Sequence, residues 1–287
     1  MYISDIFSSK KQVLSFEIFP PKQESGIGTV KSTVDELVKQ PIDYISVTYG
    51  AGGSTSKKTA DIAEYIQNQH NMTALAHLSC ITSRKDEIKD TLNDLDKRGI
   101  KNILALRGDL PQDGNAVMTD YQYASELVSD IKKHGDFCIG GACYPECHPD
   151  SPSIEVDIEN LKIKADAGCD FLVTQMFFDN DKFYTFRDLA VKKGINLPIT
   201  VGIMPLTQAS QIKRMCVLSG GASMPSKFTR MFAKYENNPN ALKQAGIAYA
   251  VDQIIDLLSN DVHGIHVYTM NKPEVAQKIT SVVSSLF

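Results

Sequence analysis

Eight short apolar segments, rich in strand-forming residues, recur along the chain with helical segments between them. They are residues 13–19, 44–50, 73–80, 102–109, 138–145, 171–178, 198–204 and 264–270. Strands that alternate with helices pair in parallel, because each helix returns the chain to the starting edge of the sheet. Eight such units in 287 residues predict an α/β fold, a single (β/α)8 TIM barrel, with extra helices between strands 7 and 8.

Helix signals support this division of the chain. Ser153 precedes a run of helical apolar spacing that ends at Gly168, and Pro273 stands where the first turn of a helix tolerates proline. An open doubly wound sheet is the alternative architecture. No Gly-x-Gly-x-x-Gly turn follows the first strand, which weakens a dinucleotide-binding version of that sheet. Without a linker-like stretch or an internal repeat, residues 1–287 predict one barrel domain.

Composition excludes several classes of function. A net charge of −4 argues against a nucleic-acid partner, and no apolar run is long enough to span a membrane. The first residues lack the order of a signal peptide, and the six cysteines form no Cys-x-x-Cys pair. We therefore expect a cytoplasmic protein with reduced thiols. Cys143, Cys147 and His148 lie close in sequence, but their spacing matches no common zinc site, so we expect no metal.

The first strand contains a carboxylate among apolar residues. Side chains alternate along a strand, so Glu17 shares a face with Val13, Ser15 and Phe19 before Pro20 ends the strand. Loss of hydration favours the protonated form of a carboxyl group, which a general acid near neutral pH requires. The alternative is an ion pair between Glu17 and an Arg or Lys on a neighbouring strand.

Polar residues also stand at the ends of the other predicted strands, where TIM barrels carry their active sites. They are Thr48, Tyr49, His77, Arg107, Asp109, Tyr144, Glu146, His148, Gln175 and Asp179. Each has a structural alternative, such as core packing or an ion pair between Arg107 and Asp109. The glycine-rich loop 50–53 is either a flexible turn or a close approach of backbone N–H groups to phosphate. Asp157, Asn160 and Lys164 share one helix face, either solvated or turned to the barrel mouth.

Longer motifs coincide with these strand ends. They are FEIFPPK (16–22), SVTYGAGGST (46–55), AHLSC (76–80), LALRGDLP (104–111), YPECHP (144–149), TQMFFD (174–179), GIMPL (202–206) and HVYTMN (266–271). With them, nearly the whole chain resembles the methylenetetrahydrofolate reductase family, in its flavin-dependent bacterial type without the eukaryotic regulatory domain. FEIFPPK together with LALRGDLP makes the resemblance specific.

The resemblance implies a noncovalent FAD and a ping-pong reaction. NADH or NADPH would reduce the flavin and leave, and 5,10-methylenetetrahydrofolate would then take the hydride to give 5-methyltetrahydrofolate. The product would supply methyl groups to methionine synthesis and one-carbon metabolism. The resemblance also implies a homo-oligomer, with a second subunit as a further possibility.

Site residues follow from the same resemblance, position by position. Glu17 matches the general acid that protonates the folate bridge nitrogen, and Asp109 matches a carboxylate near flavin and pterin. The positions that match FAD contacts are Thr48, Tyr49, Ala51, His77, Arg107, Gly108, Asp109, Tyr123, Ala124, Tyr144, His148, Asp157, Asn160 and Lys164. The expected substrate contacts are Glu17, Thr48, Asp109, Gln175, Gln211 and Lys272.

Three positions depart from the pattern of the family. Ile163 and Lys272 stand where members can carry arginine, and Met215 stands where an aromatic ring can stack on the substrates. These changes concern the strength of FAD, pterin and glutamate-tail contacts. The alternative functions are a partner-dependent subunit of a folate-reducing complex and another TIM-barrel enzyme acting on folate or a small acid. A Schiff-base aldolase is disfavoured because predicted strands 5 to 8 contain no lysine.

Overall fold

Eight parallel strands close into a barrel in a computed structural model, which describes residues 1–49, 55–108, 120–212 and 223–287. The strands are β1 (Val13–Ile18), β2 (Tyr44–Val47), β3 (Thr73–Ser79), β4 (Asn102–Leu106), β5 (Cys138–Cys143), β6 (Phe171–Thr174), β7 (Ile199–Ile203) and β8 (Gly264–Tyr268). Each strand pairs with the next in sequence, and β8 pairs with β1. The predicted TIM barrel is confirmed.

Helices alternate with these strands. They are α1 (Ile3–Ser9), α2 (Ile27–Leu37), α3 (Thr55–His70), α4 (Lys85–Lys97), α5 (Ala124–His134), α6 (Ile154–Asp166), α7 (Asn180–Lys192), α8 (Ser226–Tyr235), α9 (Pro239–Ser259) and α10 (Pro273–Val283). Residues 209–212 are also helical, so β7 and β8 are separated by the extra helices that the sequence predicts. The Ser153 side chain accepts a hydrogen bond from Val156 N, and Pro273 opens α10, as expected. Within the described ranges, no helix has both the length and the apolar character of a membrane span.

Several strands end earlier than their apolar runs predict. The run 171–178 forms a strand only to Thr174, because its last residues are buried outside the sheet, where the Phe178 ring stacks on Phe228 at 5.1 Å between centroids. The run 102–109 ends as a strand at Leu106. Gly108 there has a φ of +88°, and a Cβ would lie 2.0 Å from Ser79 Oγ, so the strand stops at a glycine that no other residue replaces easily.

Helix α1 lies across the N-terminal end of the barrel, and sequence reasoning missed it. Ile3 and Ile6 pack with residues such as Val13 and Tyr44, which point into the barrel near the start of their strands. Asn102 of β4 accepts a hydrogen bond from Ile3 N at 2.8 Å and donates to Met1 O at 3.1 Å. Apolar residues at positions 3, 6 and 7 have helical spacing and could have indicated this helix. The signal was weak, because the helix has only seven residues and no side-chain cap.

The barrel interior changes character along its axis. The end covered by α1 is apolar, whereas nearer the C-terminal ends of the strands the buried residues include polar ones. These buried polar residues are Ser15, Glu17, Ser46, His77, Thr200 and His266. The large apolar core lies instead between the strands and the surrounding helices, where Leu14, Phe16 and Ile18 of β1 point. Because side chains alternate along β1, the Glu17 side chain points into the polar part of the barrel interior.

Candidate active site

Glu17 is buried near the C-terminal end of β1, with only 6% of its surface exposed. Its Oε2 atom lies 3.3 Å from His266 Nε2 and 3.6 Å from His77 Nε2. Among the described residues, no Arg or Lys lies within ion-pair distance of this carboxylate. The alternative of an ion pair with a basic residue on a neighbouring strand is therefore wrong for the described part of the chain, and two imidazoles take that place.

Each imidazole is held by a buried serine. Ser15 Oγ lies 2.7 Å from His266 Nδ1, and Ser46 Oγ lies 2.5 Å from His77 Nε2. We call these five residues the Glu17 cluster. Sequence reasoning had assigned no role to Ser15, Ser46 or His266. The signal was present in part, because Ser15 shares the inward face of Glu17, and strands 1 and 8 are neighbours in any closed eight-stranded barrel.

Burial sets the charge states of His77 and of the adjacent Tyr268. It lowers the pKa of His77 to about 4; His266 acts in the same direction, and Glu17 acts in the opposite one. His77 is therefore neutral at neutral pH. The pKa of Tyr268 is raised well above its usual value by burial and by the neighbouring Glu17 carboxylate. Tyr268 stays protonated and donates its hydroxyl to Thr174 O at 2.7 Å.

The segment after β8 fixes the backbone around Glu17. Thr269 Oγ1 donates to Glu17 O at 2.6 Å. The Asn271 side chain accepts from Phe19 N at 2.8 Å and donates to Phe19 O at 2.9 Å, so one amide satisfies both polar groups of a residue just beyond β1. Met270 and Asn271 have positive φ angles of 53° and 56°, which turn the chain back towards β1. The HVYTMN motif was recognised in the sequence, but the contacts of Thr269 with Glu17 and of Asn271 with Phe19 were not predicted.

Lys58 of α3 holds the loop that follows β1. Its ammonium group is buried and donates to Lys22 O at 3.0 Å and to Pro21 O at 3.4 Å. Buried lysines require such partners because loss of hydration is costly. The FEIFPPK motif is thus secured at Glu17 by the segment after β8 and at its end by Lys58.

Basic groups converge at the ends of β4 and β5. Arg107 Nη2 pairs with Asp150 Oδ2 at 2.7 Å, a contact that lowers the pKa of Asp150. Burial lowers the pKa of His148, and the nearby positive charges of Arg107 and Lys164 lower it further. Burial also lowers the pKa of Lys164, which donates to Ala142 O of β5. Arg107 and Lys164 therefore both act electrostatically on His148, and this set of donors fits an anionic group such as a phosphate.

The loop after β5 is ordered by Asp157. Its carboxylate accepts hydrogen bonds from His148 N at 3.0 Å and from Ser151 Oγ at 3.1 Å, while the Tyr144 and His148 rings meet edge to face at 4.6 Å. Asn160 on the same helix is exposed. The three residues predicted to share a helix face therefore have different environments. Asp157 orders the loop after β5, Lys164 donates to a backbone carbonyl of β5, and Asn160 is exposed to solvent.

The remaining predicted FAD contacts lie at the same end of the barrel. Thr48 directly follows β2, is buried and donates its N–H to Ile18 O at 3.0 Å, and Tyr49 packs against the main core. Tyr123, 59% exposed, precedes α5, and its N–H donates to Glu126 Oε2 at 2.9 Å. Ala124 begins α5.

The predicted folate contacts use part of their hydrogen-bonding capacity locally. Gln175 directly follows β6 and is half-buried, and its Oε1 accepts from Met176 N at 2.9 Å. Gln211 is buried, and its Oε1 accepts from Thr207 N at 2.9 Å. Lys272 precedes α10 and is half-buried. Ala51, Asp109 and Met215 lie outside the described residues, so the alternative of an Arg107–Asp109 ion pair is untested. Within the described residues Arg107 pairs with Asp150.

Potential metal ligands do not cluster in the described part of the chain, where no group of three His, Cys, Asp or Glu side chains is arranged to hold an ion. Cys80, Cys138, Cys143, Cys147 and Cys169 all carry free thiols. Cys147 Sγ donates to His148 O at 3.5 Å.

Comparison with known proteins places this site in a family. Residues 2–284 match the family model of methylenetetrahydrofolate reductase. The chain belongs to the methylenetetrahydrofolate reductase family. It is 36% identical over 266 residues to 5,10-methylenetetrahydrofolate reductase of Pectobacterium carotovorum, covering 93% of this chain and 88% of that protein. Identity to the Escherichia coli K12 protein of the same name is 35% over 267 residues, with the same coverage.

A plant relative matches over part of its own length. The chain is 35% identical over 283 residues to methylenetetrahydrofolate reductase (NADH) 1 of Arabidopsis thaliana, covering 94% of this chain and 48% of that protein. These matches confirm the family resemblance seen in the sequence. Members of the family are oxidoreductases of folate metabolism.

Solved structures show the same fold at low sequence identity. A protein from Clostridium thermocellum that binds two copies of 5-methyl-5,6,7,8-tetrahydrofolic acid matches over 100% of both chains, with a TM-score of 0.70 and 13% identity. Oxaloacetate acetylhydrolase matches over 99% of this chain and 84% of its own, with a TM-score of 0.57 and 8% identity. At these identities the likeness concerns the barrel alone.

Proposed function

We propose that this protein reduces 5,10-methylenetetrahydrofolate to 5-methyltetrahydrofolate by a ping-pong reaction that uses bound FAD and NADH or NADPH. The observation that carries the proposal is the Glu17 cluster: a carboxyl group buried at the C-terminal end of β1, with one oxygen 3.3 Å from the His266 imidazole and 3.6 Å from that of His77. Family membership supports the reaction class. The folate bound by the Clostridium thermocellum protein supports a folate site on this fold.

Glu17 acts as the general acid in this proposal. Its carboxyl group donates a proton to the bridge nitrogen of the folate, so the imidazolidine ring opens to an iminium that accepts hydride. The carboxylate that remains is stabilised at Oε2 by the nearby His266 ring, which Ser15 holds in place. By the family resemblance, Asp109 within LALRGDLP would supply a second negative charge to the cationic iminium.

The residues around the β4 and β5 ends fit the cofactor. Arg107, His148 and Lys164 would hold the anionic phosphates, because they form a basic group at one side of the barrel mouth. Bound there, FAD would supply the hydride-carrying chemistry between nicotinamide and folate. Asp157 contributes by ordering the loop that carries His148. The other proposed contacts are Thr48, Tyr49, Ala51, His77, Gly108, Asp109, Tyr123, Ala124, Tyr144 and Asn160.

Folate recognition falls to the β6 and β7 ends and to the start of α10. Gln175 and Gln211 supply amide groups, and Lys272 supplies a cation for the carboxylates of the glutamate tail. Lysine keeps the charge of arginine but lacks its bidentate fork. Thr48 completes the proposed set. The proposal extends to a cytoplasmic single-domain protein that forms a homo-oligomer, alone or with a second subunit, and serves methionine synthesis.

The test separates the two half-reactions. Purified protein is expected to be yellow and to release FAD on denaturation, and anaerobic stopped-flow absorbance with NADH and NADPH then follows flavin reduction and its reoxidation by methylenetetrahydrofolate. Protein that is colourless and takes up no added FAD would refute the proposal.

The Glu17→Gln variant tests the assigned acid. We expect the folate half-reaction to slow by about 10²–10⁴-fold, the usual contribution of a general acid, with little change in flavin reduction by nicotinamide. Glu24→Gln is the matched control, because Glu24 opens the 3₁₀ turn Glu24–Gly26 with its side chain 79% exposed, and its only charged neighbour among the described residues is Lys58 at 4.0 Å. Equal slowing of both half-reactions by Glu17→Gln would assign Glu17 a different role.

A further inference from the structure

We propose that Ser46 is a positioning residue that fixes His77 in one neutral tautomer, with the ring proton on Nδ1 and with Nε2, the nitrogen nearer Glu17, accepting the Ser46 hydroxyl and carrying no proton. His266, held by Ser15, presents a protonated Nε2 to the same carboxylate oxygen. The two serine–histidine pairs would therefore give Glu17 one N–H donor, on His266, and withhold a second one on His77. The catalytic consequence rests on the proposed function, whereas the tautomer assignment does not.

The hydroxyl proton of Ser46 decides the direction of its hydrogen bond. Ser46 is fully buried, and within the described ranges its side chain bonds only to His77 Nε2, at 2.5 Å. A buried hydroxyl group is expected to use its proton. If Nε2 carried a proton and donated it to Ser46 Oγ, the serine proton would lack an acceptor among the described residues. Ser46 therefore donates, and Nε2 accepts.

The charge of His77 then places the ring proton. A neutral imidazole carries one proton on one of its two nitrogens. Burial keeps His77 neutral, since its pKa is lowered to about 4. With the Nε2 lone pair occupied by the Ser46 hydroxyl, the proton resides on Nδ1. Within the described ranges Nδ1 makes no hydrogen bond, so its proton remains available to an acceptor on a bound ligand.

His266 resolves in the opposite way. Ser15 Oγ lies 2.7 Å from His266 Nδ1 and 3.4 Å from Ile265 O, so the ring nitrogen is the nearer acceptor for the single serine proton. The His266 proton is then on Nε2, which lies 3.3 Å from Glu17 Oε2. His266 thus directs an N–H at Oε2, whereas His77 Nε2, which lies 3.6 Å from the same atom and accepts from Ser46, offers it no donor.

A single N–H donor suits a carboxyl group that takes part in proton transfer. The N–H of His266 hydrogen-bonds to Oε2, whereas the Ser46-held tautomer of His77 keeps a second N–H away from that oxygen. The titratable groups of the described residues around this centre are Glu17 on β1, Tyr44 on β2, His77 on β3, Cys143 on β5 with Tyr144 just after it, and His266 and Tyr268 on β8. The Tyr44 ring stacks on His266 at 6.3 Å between centroids, and burial raises the pKa of Tyr44 to about 12, so Tyr44 is neutral. Tyr268 remains neutral and donates its hydroxyl to Thr174 O, so the described polar contacts to Glu17 Oε2 come from the two imidazoles.

Nitrogen-15 NMR of the histidine rings tests the tautomers directly. The chain has six histidines, so long-range ¹⁵N–¹H spectra of histidine-labelled full-length protein can be assigned by loss of signals in His77→Asn and His266→Asn. In the unmodified protein we expect the His77 proton on Nδ1 and the His266 proton on Nε2. A His77 proton on Nε2 would overturn the proposal without any variant of Ser46.

The serine variants then form a matched pair. Ser46→Ala should shift the His77 ring signals towards the other tautomer and leave those of His266 in place, and Ser15→Ala should do the reverse. Ser46→Thr, which keeps the hydroxyl group, should restore the His77 pattern. Unchanged His77 signals in Ser46→Ala would contradict the assigned role of Ser46.

Rapid kinetics test the catalytic consequence separately. Ser46→Ala should slow the folate half-reaction by about fivefold or more, the scale of one hydrogen bond, and slow it more than flavin reduction, with rescue by Ser46→Thr. A tautomer shift without such slowing would refute the catalytic consequence. Unmodified protein with no folate half-reaction would instead refute the proposed function, and the NMR result would still decide the tautomer.

Discussion

At the scale of single residues, the sequence located Glu17 but named the wrong kind of partner. Alternation along β1 predicted an inward-facing carboxylate, and cost of burial predicted a partner for it. The partners are the imidazoles of His77 and His266 instead of Arg or Lys, and His266 lies 249 positions away from Glu17 in sequence. A pattern within one strand carries no information on which residue of a neighbouring strand faces it. That depends on register.

His77 should make stability depend on pH. Its pKa is about 4 in the folded protein and about 6.5 when unfolded. Below about pH 6.5 the unfolded chain therefore binds a proton that the folded chain refuses, so the free energy of unfolding falls as pH falls towards 4. This contribution is fully present above pH 6.5, and its full loss amounts to about 3 kcal/mol.

Urea titrations of the unmodified protein and His77→Gln between pH 7.5 and 4 measure this effect. The variant should lose less free energy of unfolding over that range, by up to about 3 kcal/mol. His148 and His263, whose pKa values burial also lowers, act in the same direction and are common to both proteins. Parallel pH curves would show that His77 is not the buried neutral group described here.

At the scale of elements, sequence patterns predicted the helices and strands well and their ends less well. Ser153 and Pro273 marked helix starts correctly because a cap acts on neighbouring residues. The strand at 171–178 was overextended because Met176, Phe177 and Phe178 are buried by other contacts. Burial, and not pairing in the sheet, explains the apolar character of these three residues.

Helix α9 makes a close contact that depends on Gly246. A Cβ at this position would lie 1.8 Å from Leu206 O, a backbone atom of the segment after β7 that cannot yield easily. We expect Gly246→Ala to destabilise the protein by about 1–3 kcal/mol, the range for overpacking, measured by chemical denaturation. The gain in helix propensity offsets only about 1 kcal/mol at most.

Gly28→Ala is the matched control for this contact. Gly28 also lies in a helix, α2, and a Cβ there meets nothing within 4 Å. The control should therefore gain about 0.5–1 kcal/mol of stability. If both variants gain stability, the approach of α9 to Leu206 is looser than described.

At the scale of the whole molecule, closing the barrel creates the site. Pairing of β8 with β1 brings His266, Thr269 and Asn271 to Glu17 and Phe19, and the plug formed by α1 seals the opposite end. The family motifs predicted which segments belong to the site. They did not reveal that HVYTMN serves mainly to hold FEIFPPK in place, because that role exists only once the first and last strands meet.

Asn102 should be required for the α1 plug. It accepts from Ile3 N and donates to Met1 O and Ala74 O, so Asn102→Ala removes the partner of the buried Ile3 N–H and two further hydrogen bonds. We expect a loss of about 1–3 kcal/mol in the free energy of unfolding, with faster hydrogen exchange in residues 1–9. Asn68→Ala, at an exposed position of α3, should change stability by less than about 0.5 kcal/mol. Unchanged exchange at α1 in Asn102→Ala would contradict the role of Asn102.

The sequence by itself determined the number and order of the βα units, the inward face of β1 and the identity of the family. All of these depend on periodicity or on motifs, which are local properties of the chain. Only the tertiary structure decided that Glu17 lies between two serine-held imidazoles, that Asn271 clamps Phe19, and that α1 closes the barrel. Each of these contacts joins segments distant in sequence, because register and closure of the sheet, and not local preference, determine which side chains meet.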